Sequence, residues 1–255
     1  MPAERPKVQS IWRYPIKGLS PEPLERTRLA VGATLPSDRL YAIENGPSGF
    51  DPKAPRHQPK QRYLMLMRNE RLARLRSRFD EISHTLVIDL DGREAARGDL
   101  RTLAGRGQIE RFLAGFCAGE LRGPPRVLHA PGFSFSDVAS KVVSIINLAS
   151  LAAIEGAIGA AVHPLRFRAN VYVSGWPAWH EFELLGREVA IGPTARVRIV
   201  KLIVRCAAID VDPDTGIRDL SIPAALLRCF GHADCGVYGE VVAAGDIAVG
   251  EPLHH

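Results

Sequence analysis

Cysteine is scarce in this chain: 255 residues carry only Cys117, Cys206, Cys229 and Cys235. So few in a chain of this length exclude a disulfide scaffold and any ferredoxin-type iron–sulfur spacing. Aromatic residues make up 7%, only six of the 33 basic residues are lysine, and the net charge of +5 is not gathered in a tail. That argues against nucleic acid as a partner. There is no glycine-rich phosphate loop, no nucleophile elbow and no dinucleotide fingerprint. Met1-Pro2-Ala3-Glu4-Arg5 leads into a strand without an apolar core segment, so no signal peptide is expected. One long apolar stretch, residues 142–162, is interrupted by Ser144, Asn147, Ser150 and Glu155. It reads as a buried strand followed by a helix, with Ser150 as the helix N-cap, and not as a membrane span. The expected setting is a reducing compartment such as the cytoplasm, with no membrane partner.

What is present is ordinary globular material, 46% hydrophobic and 24% charged. Short runs of β-formers separated by turn residues cover residues 8–16, 24–31, 39–44 and 64–68. Residues 46–59, rich in Pro, Gly and charge, form a surface loop. Leu72, Leu75 and Phe79 recur at helical spacing, which predicts an amphipathic helix over 69–79. Thr85 to Leu90 alternates and ends in Asp91-Gly92, a hairpin signal. A second helix is expected over 107–117, and Leu121 to Pro125 is the best linker. Further strands are expected at 126–129, 142–146, 170–174, 188–191, 196–204, 237–242 and 247–249. The chain is therefore mainly β with peripheral helices, and its many short strands favour closed or sandwiched sheets.

The chemistry concentrates around Cys206. Val200, Leu202 and Val204 alternate with Lys201, Ile203 and Arg205 and lead into it, so the strand ends where a thiol can face a cleft. A thiolate is a soft ligand and a strong nucleophile, and the adjacent Arg205 stabilises its charged form. Spacing alone favours a buried inert cysteine, the usual fate of a free thiol. Asp210, Asp212 and Asp214 alternate as in a calcium loop. But Thr215 stands where that loop needs Gly, Pro213 stiffens it, and Ser221 replaces the closing Glu. The segment 212–216 is better read as a turn, with Asp212 ordering Arg205. Cys229, His232, Asp234 and Cys235 could be four zinc ligands, but the cysteines are spaced too widely for a zinc knuckle; packing is the expectation for Cys229. Trp176 to Glu181 could line a pocket, with His180 the first histidine to test as a proton donor.

Three segments together carry a family resemblance: Arg205-Cys206 followed by Asp212-Pro213-Asp214-Thr215-Gly216, Arg166-Phe167-Arg168-Ala169-Asn170, and Tyr14-Pro15-Ile16-Lys17. With Ser37-Asp38-Arg39, Ser134 to Lys141 and Cys235-Gly236-Val237-Tyr238, they resemble the MOSC family, the molybdenum-cofactor sulfurase C-terminal domain proteins. The resemblance implies a β-barrel-like MOSC fold. A MOSC N-terminal β-barrel region would span residues 6–118 and the MOSC domain residues 126–253. It implies that Cys206 ligates molybdenum or carries sulfur. Lys17, Arg39, Arg168, Asn170 and Arg205 would anchor the phosphate-bearing molybdenum cofactor (Mo-molybdopterin), and the hydroxyls of 134–141 would touch it.

The implied activity is oxygen-atom removal from a small N-hydroxylated or N-oxide substrate, as in the amidoxime-reducing component. Electrons would come from an external reductase or ferredoxin-like protein. The alternatives are a sulfur carrier that takes a persulfide on Cys206 from a pyridoxal-phosphate-dependent cysteine desulfurase, or a cofactor storage or delivery protein. The sequence departs from the family pattern at Gly18, at Ile209 and at Leu202-Ile203-Val204, each of which removes a hydroxyl or thiol.

Overall fold

The computed structural model describes residues 5–255. Strands β1 (Lys7–Arg13), β2 (Glu22–Leu24), β3 (Arg26–Leu29) and β4 (Ala42–Asn45) come first. A meander of β5 (Arg76–Asp80), β6 (Thr85–Leu90) and β7 (Arg93–Asp99) follows, covered by α1 (Leu103–Phe116). β8 (Pro125–Leu128) then pairs antiparallel with β4. Beyond it lie β9 (Val143–Asn147), α2 (Leu148–Ile158), β10 (Val171–Ser174) and the single turn α3 (His180–Glu183). The last part holds β11 (Glu188–Ile191), β12 (Ala195–Val204), α4 (Ile222–Phe230), β13 (Asp234–Ala243), β14 (Gly245–Ala248) and β15 (Leu253–His254). The fold is mainly β, as its short alternating runs imply.

Eight strands form one sheet in the order β15-β11-β12-β13-β9-β10-β1-β2. Strands from the start of the chain thus complete a sheet built largely from its second half, and β3 likewise pairs with β14. Among the strands of the described residues only the β9–β10 pair is parallel, and α2 lies in the crossover that a parallel pair requires. One face of the sheet packs a core including Val8, Ile145, Val173, Val197 and Val241. The other packs Ile146 and Tyr172 against α2 and α4 through Leu151, Ile154 and Leu226. A separate core under the meander joins Phe79, Leu86 and Ile88 to Ile109 and Leu113 of α1.

Local chemistry explains where the elements start and stop, and four expectations need correction. The α2 cap is Asn147, whose side chain accepts from Ala149 N. Ser150 instead sits in the first turn, fully buried, with its hydroxyl on Glu181. The helix expected over 69–79 is a 3-10 turn, Glu70–Arg74, followed by strand β5. Leu72 and Phe79 do share a core, but an eleven-residue helix is marginal by itself, and pairing of residues 76–80 with β6 prevails. Residues 64–68 make a turn, not a strand, because the Asn69 side chain accepts from Met65 N in place of a ladder partner. Along β12 the register shifts near residues 199–201 and 202–204. The buried positions are the odd-numbered ones, Val197, Ile199 and Ile203, so Val200 and Val204 are exposed.

The Asp91-Gly92 hairpin forms as expected, both residues at positive φ as a type I′ turn demands. Residues 142–162 are β9 and α2. Among the described residues, no helix is long and apolar enough to cross a membrane.

Candidate functional site

β12 delivers the cysteine. Its ladder with β13 ends at Val204↔Asp234, and one more bond, from Arg205 N to Ala233 O at 2.8 Å, carries the chain a residue further. Cys206 follows in an extended conformation and heads a 3-10 turn, Ala207–Asp210. Its thiol is free and half-buried. It opens into a cavity of about 270 Å3 that Lys17, Arg39, Arg168, Asn170 and Arg205 also line. All six residues singled out in the sequence therefore meet in one place, although residues 17 and 206 lie at opposite ends of the chain.

The cations are held by unusual backbone. Arg39 and Arg168 both have left-handed φ, +50° and +52°. That conformation costs a non-glycine residue about 1 kcal/mol. What offsets it is a shared platform: the guanidiniums of Arg39 and Arg168 lie 4.5 Å and 4.3 Å from the centre of the fully buried Tyr14 ring. Arg39 also pairs with Asp38 and donates to Arg168 O at 2.9 Å, and Arg168 donates to Leu19 O at 2.9 Å. Asp38 in turn accepts from Tyr14 N at 2.8 Å. Burial raises the Tyr14 pKa, so the ring stays a neutral phenol between two cations.

Lys17 is 6% exposed. Its ammonium donates to Phe135 O at 2.9 Å and pairs with Asp137. Burial lowers the Lys17 pKa, and Asp137 opposes that shift. Burial likewise penalises the Asp137 carboxylate, but Lys17, Lys60 and Arg39 prevail and hold its pKa well below the ordinary carboxylate value. Gly18 adopts φ +85°, and a Cβ there would stand 2.8 Å from Leu64 O. The backbone contact explains why this chain has Gly at a position where the resemblance led one to expect Ser.

The remaining two anchors differ in how free they are. The Asn170 amide joins three strands: its Oδ1 accepts from Ser144 Oγ at 2.8 Å, and its Nδ2 donates to Trp12 O at 3.2 Å. Arg205 donates through Nε to Cys235 O at 2.7 Å and through Nη1 to Phe167 O at 3.0 Å. Its Nη2 is buried and has no partner among the described residues. Gly236, at φ +76°, makes room for it, since a Cβ there would lie 3.2 Å from that nitrogen and 2.5 Å from Ile145 O.

Other candidates fall elsewhere. Asp212 does not order Arg205. Its carboxylate closes its own turn, accepting from Thr215 N at 2.8 Å, and pairs with Arg166 at 3.1 Å. The bonds of Arg205 go to Cys235 O and Phe167 O instead. His180 is outside the cavity, paired with Glu183 at 2.8 Å and 3.3 Å from His255. Trp176 and Trp179 also lie away from it. The segment 134–141 does reach the cavity, through Ser136 and Asp137; the Ser134 and Ser136 hydroxyls donate to Asp38 O and Val138 O, and Asp137 is the side chain that pairs with the cations. Cys229 is exposed on α4 and does not pack, whereas burial pushes the Cys235 thiol up to about 12. Among the described residues, no His, Cys, Asp and Glu group could hold a metal by itself.

Three site residues were not singled out in the sequence. Arg166 is buried in the cavity wall, paired with Asp219 at 2.8 Å and with Asp212, and donates to Asp210 O at 3.0 Å. It ties down the chain that follows Cys206, and its place two residues before Arg168 was the available signal. Lys60 Nζ lies 3.2 Å from Cys206 Sγ and 3.7 Å from Asp137. Lys60 and Asp137 sit on loops, where spacing in the sequence carries no such signal.

Comparison with known proteins was consistent from both halves of the chain. Residues 130–254 match the MOSC domain model, and residues 5–114 match the model of the MOSC N-terminal beta barrel domain. Mitochondrial amidoxime reducing component 2 of Rattus norvegicus is 30% identical over 124 residues, 44% of this chain and 36% of that protein. Mitochondrial amidoxime-reducing component 1 of Mus musculus is 29% identical over 133 residues, 48% of this chain and 38% of that protein. The alignments thus span little more than a third of these relatives' length. Among solved structures, the YUAD protein from Bacillus subtilis aligns over 98% of this chain and 94% of that chain, with 14% identity and a TM-score of 0.47.

Proposed function

The chain belongs to the MOSC family, with a MOSC N-terminal beta barrel domain preceding the MOSC domain, and from that premise we propose that it is a molybdenum-cofactor-binding oxidoreductase. Convergence of a half-buried thiol with Lys17, Arg39, Arg168 and Arg205 on one cavity carries this reading. The donor set suits the cofactor. A thiolate is a ligand for a soft metal, guanidinium and ammonium groups suit a terminal phosphate, and the buried unpartnered Arg205 Nη2 is a donor that needs an acceptor. Cys206 would hold the metal, Lys17, Arg39 and Arg168 the phosphate, and Arg205 and Asn170 the polar edge of the pterin.

When bound, the cofactor would supply two-electron redox chemistry that removes oxygen from an N-hydroxylated or N-oxide substrate; of these, the names of the relatives carry the amidoxime. The chain's own residues do the rest. Tyr14 fixes Arg39 and Arg168 before any ligand arrives, so little side-chain entropy remains to be lost on binding. Arg166 with Asp212 and Asp219 holds the backbone beyond Cys206, which keeps the sulfur at the cavity mouth. Met65, Leu66 and Val142 supply apolar wall that limits water.

With four cysteines and no iron–sulfur spacing, the chain takes its electrons from a separate reductase or ferredoxin-like protein. Its free cysteines suit a reducing compartment such as the cytoplasm.

The test is metal analysis of anaerobically purified protein together with pterin fluorescence after oxidation. Molybdenum and pterin should load in equal amounts, and Cys206→Ala should abolish reduction of a model amidoxime while the fold survives. Failure to load either one removes the reading. A persulfide on Cys206 without pterin would replace it with sulfur transfer from a cysteine desulfurase, and tightly held pterin without turnover under any donor would replace it with storage.

A further inference from the structure

We propose that Lys60 makes the Cys206 end of the cavity a subsite for an anionic or strongly dipolar oxygen, so that charge selects the ligand that meets the sulfur. This deepens the proposed function by naming the substrate's reacting group, and it rests on the cavity described above.

Lys60 is the cation at the sulfur. Its ammonium lies 3.2 Å from Cys206 Sγ and 3.7 Å from an Asp137 oxygen, and its side chain is 25% exposed. The backbone beneath it is fixed. Residues 60–62 form a 3-10 turn, Tyr63 N donates to Lys60 O at 3.1 Å, Arg122 donates to Gln61 O, and Leu64 N donates to Ile43 O at 2.8 Å. A loop that delivers one lysine to the only half-buried cysteine of the four is not an ordinary solvated surface.

The deeper cations lie away from the sulfur contact and have fixed partners of their own, with donors left over for the phosphate. Lys17 is on Phe135 O and Asp137, Arg39 on Asp38 and Arg168 O, and Arg168 on Leu19 O. Lys60 has three donors. Its recorded contacts are a sulfur, a weak acceptor, and a carboxylate beyond hydrogen-bond reach. A donor is therefore left for a ligand oxygen next to the sulfur. Asp137 is the competing anion, but it is engaged by Lys17 and its oxygen stands 3.7 Å from the Lys60 ammonium.

The experiment uses cofactor-free protein. It is alkylated in parallel with iodoacetate, which is anionic, and iodoacetamide, which is neutral, and modification of each cysteine is read by peptide mass spectrometry. At a single thiol the ratio of the two rates cancels the thiolate fraction and the intrinsic nucleophilicity, leaving the charge preference of the surroundings. Cys229, exposed on α4, is the internal reference, and Cys117 and Cys235, both buried, report an intact fold by staying unmodified.

The iodoacetate-to-iodoacetamide ratio at Cys206 should exceed that at Cys229 by about tenfold, the equivalent of 1.4 kcal/mol. Lys60→Met should remove most of that preference, Lys60→Arg should keep it, and Asp137→Asn should raise it. Equal ratios at Cys206 and Cys229 would overturn the proposal, as would an unchanged ratio in Lys60→Met with Cys117 and Cys235 still protected. If Lys60→Met unmasks Cys117, Lys60→Gln and a salt titration of the wild-type ratio decide. A preference that salt does not weaken would then overturn it. Because no metal or pterin is present, a failure here is separate from a failure of cofactor loading.

Discussion

Arg166→Met removes the knot that holds the chain beyond Cys206, and its cost can be worked from the contacts. Arg166 is 4% exposed, and its guanidinium makes two bonds of 2.8 Å to Asp219, one of 3.1 Å to Asp212 and one of 3.0 Å to Asp210 O. Removing one partner of a fully buried pair costs about 3–5 kcal/mol. Here the side chains of Asp212 and Asp219 are 21% and 42% exposed, so water takes over part of what they lose. Methionine also keeps the apolar stem packed. The expected loss is therefore about 2 kcal/mol, or roughly 4–8 °C in the thermal midpoint for a chain of this size. Urea unfolding followed by far-UV circular dichroism measures it. Hydrogen exchange should rise over residues 207–219 and stay unchanged in the β5–β7 meander, and Asp219→Asn should cost less than Arg166→Met. Arg166→Met within 0.5 kcal/mol of wild type would refute the reasoning, because the knot would then contribute nothing that water cannot replace.

Three further outcomes follow from the same physics. Glu181 is fully buried on Asn147 and Ser150, and burial raises its pKa. Its stabilising contribution is complete below the ordinary value of 4.5 and lost as pH rises through the folded value. Glu181→Gln should therefore gain stability relative to wild type between pH 4 and pH 8 in urea titrations; a constant difference over that range counts against the assignment. Asp137 has the opposite sign. Its stabilising contribution is present above the ordinary value of 3.8 and lost as acid protonates the folded carboxylate, so Asp137→Asn should destabilise at pH 7, by an amount that shrinks as the pH is lowered below about 4. A pH-independent loss would point to packing instead. Gly18→Ala should cost about 1–3 kcal/mol through positive φ and the approach to Leu64 O, and it should lower anion affinity by displacing Lys17; calorimetry with inorganic phosphate that finds no change would argue against that geometry.

Much of the β architecture was legible in residue order. Alternation marked β6, the Asp91-Gly92 pair marked its hairpin, and apolar runs marked β9, β12 and β13. The misreadings share one cause. Residues 69–79 have helical apolar spacing, yet strand pairing with β6 outweighed a marginal local helix. In β12 the core takes Val197, Ile199 and Ile203, while Val200 and Val204, which alternate equally well in the sequence, face outward. The cluster Cys229 to Cys235 looked like a ligand set, but Cys229 lies on the exposed face of α4 and β13 buries Cys235.

Residue types and short motifs determined which chemistry this protein can carry: a lone thiol beside arginine, and cations at the ends of three segments. Only the tertiary structure decided that they act together. Ladder pairing brings β1 beside β10 and β12 beside β13, and that juxtaposition sets residues 17, 39, 168 and 206 around one cavity. It also recruited Lys60, Asp137 and Arg166, whose importance lies in which distant groups they meet. Coulomb attraction and hydrogen bonding depend on distance in space, and distance along the chain does not report it.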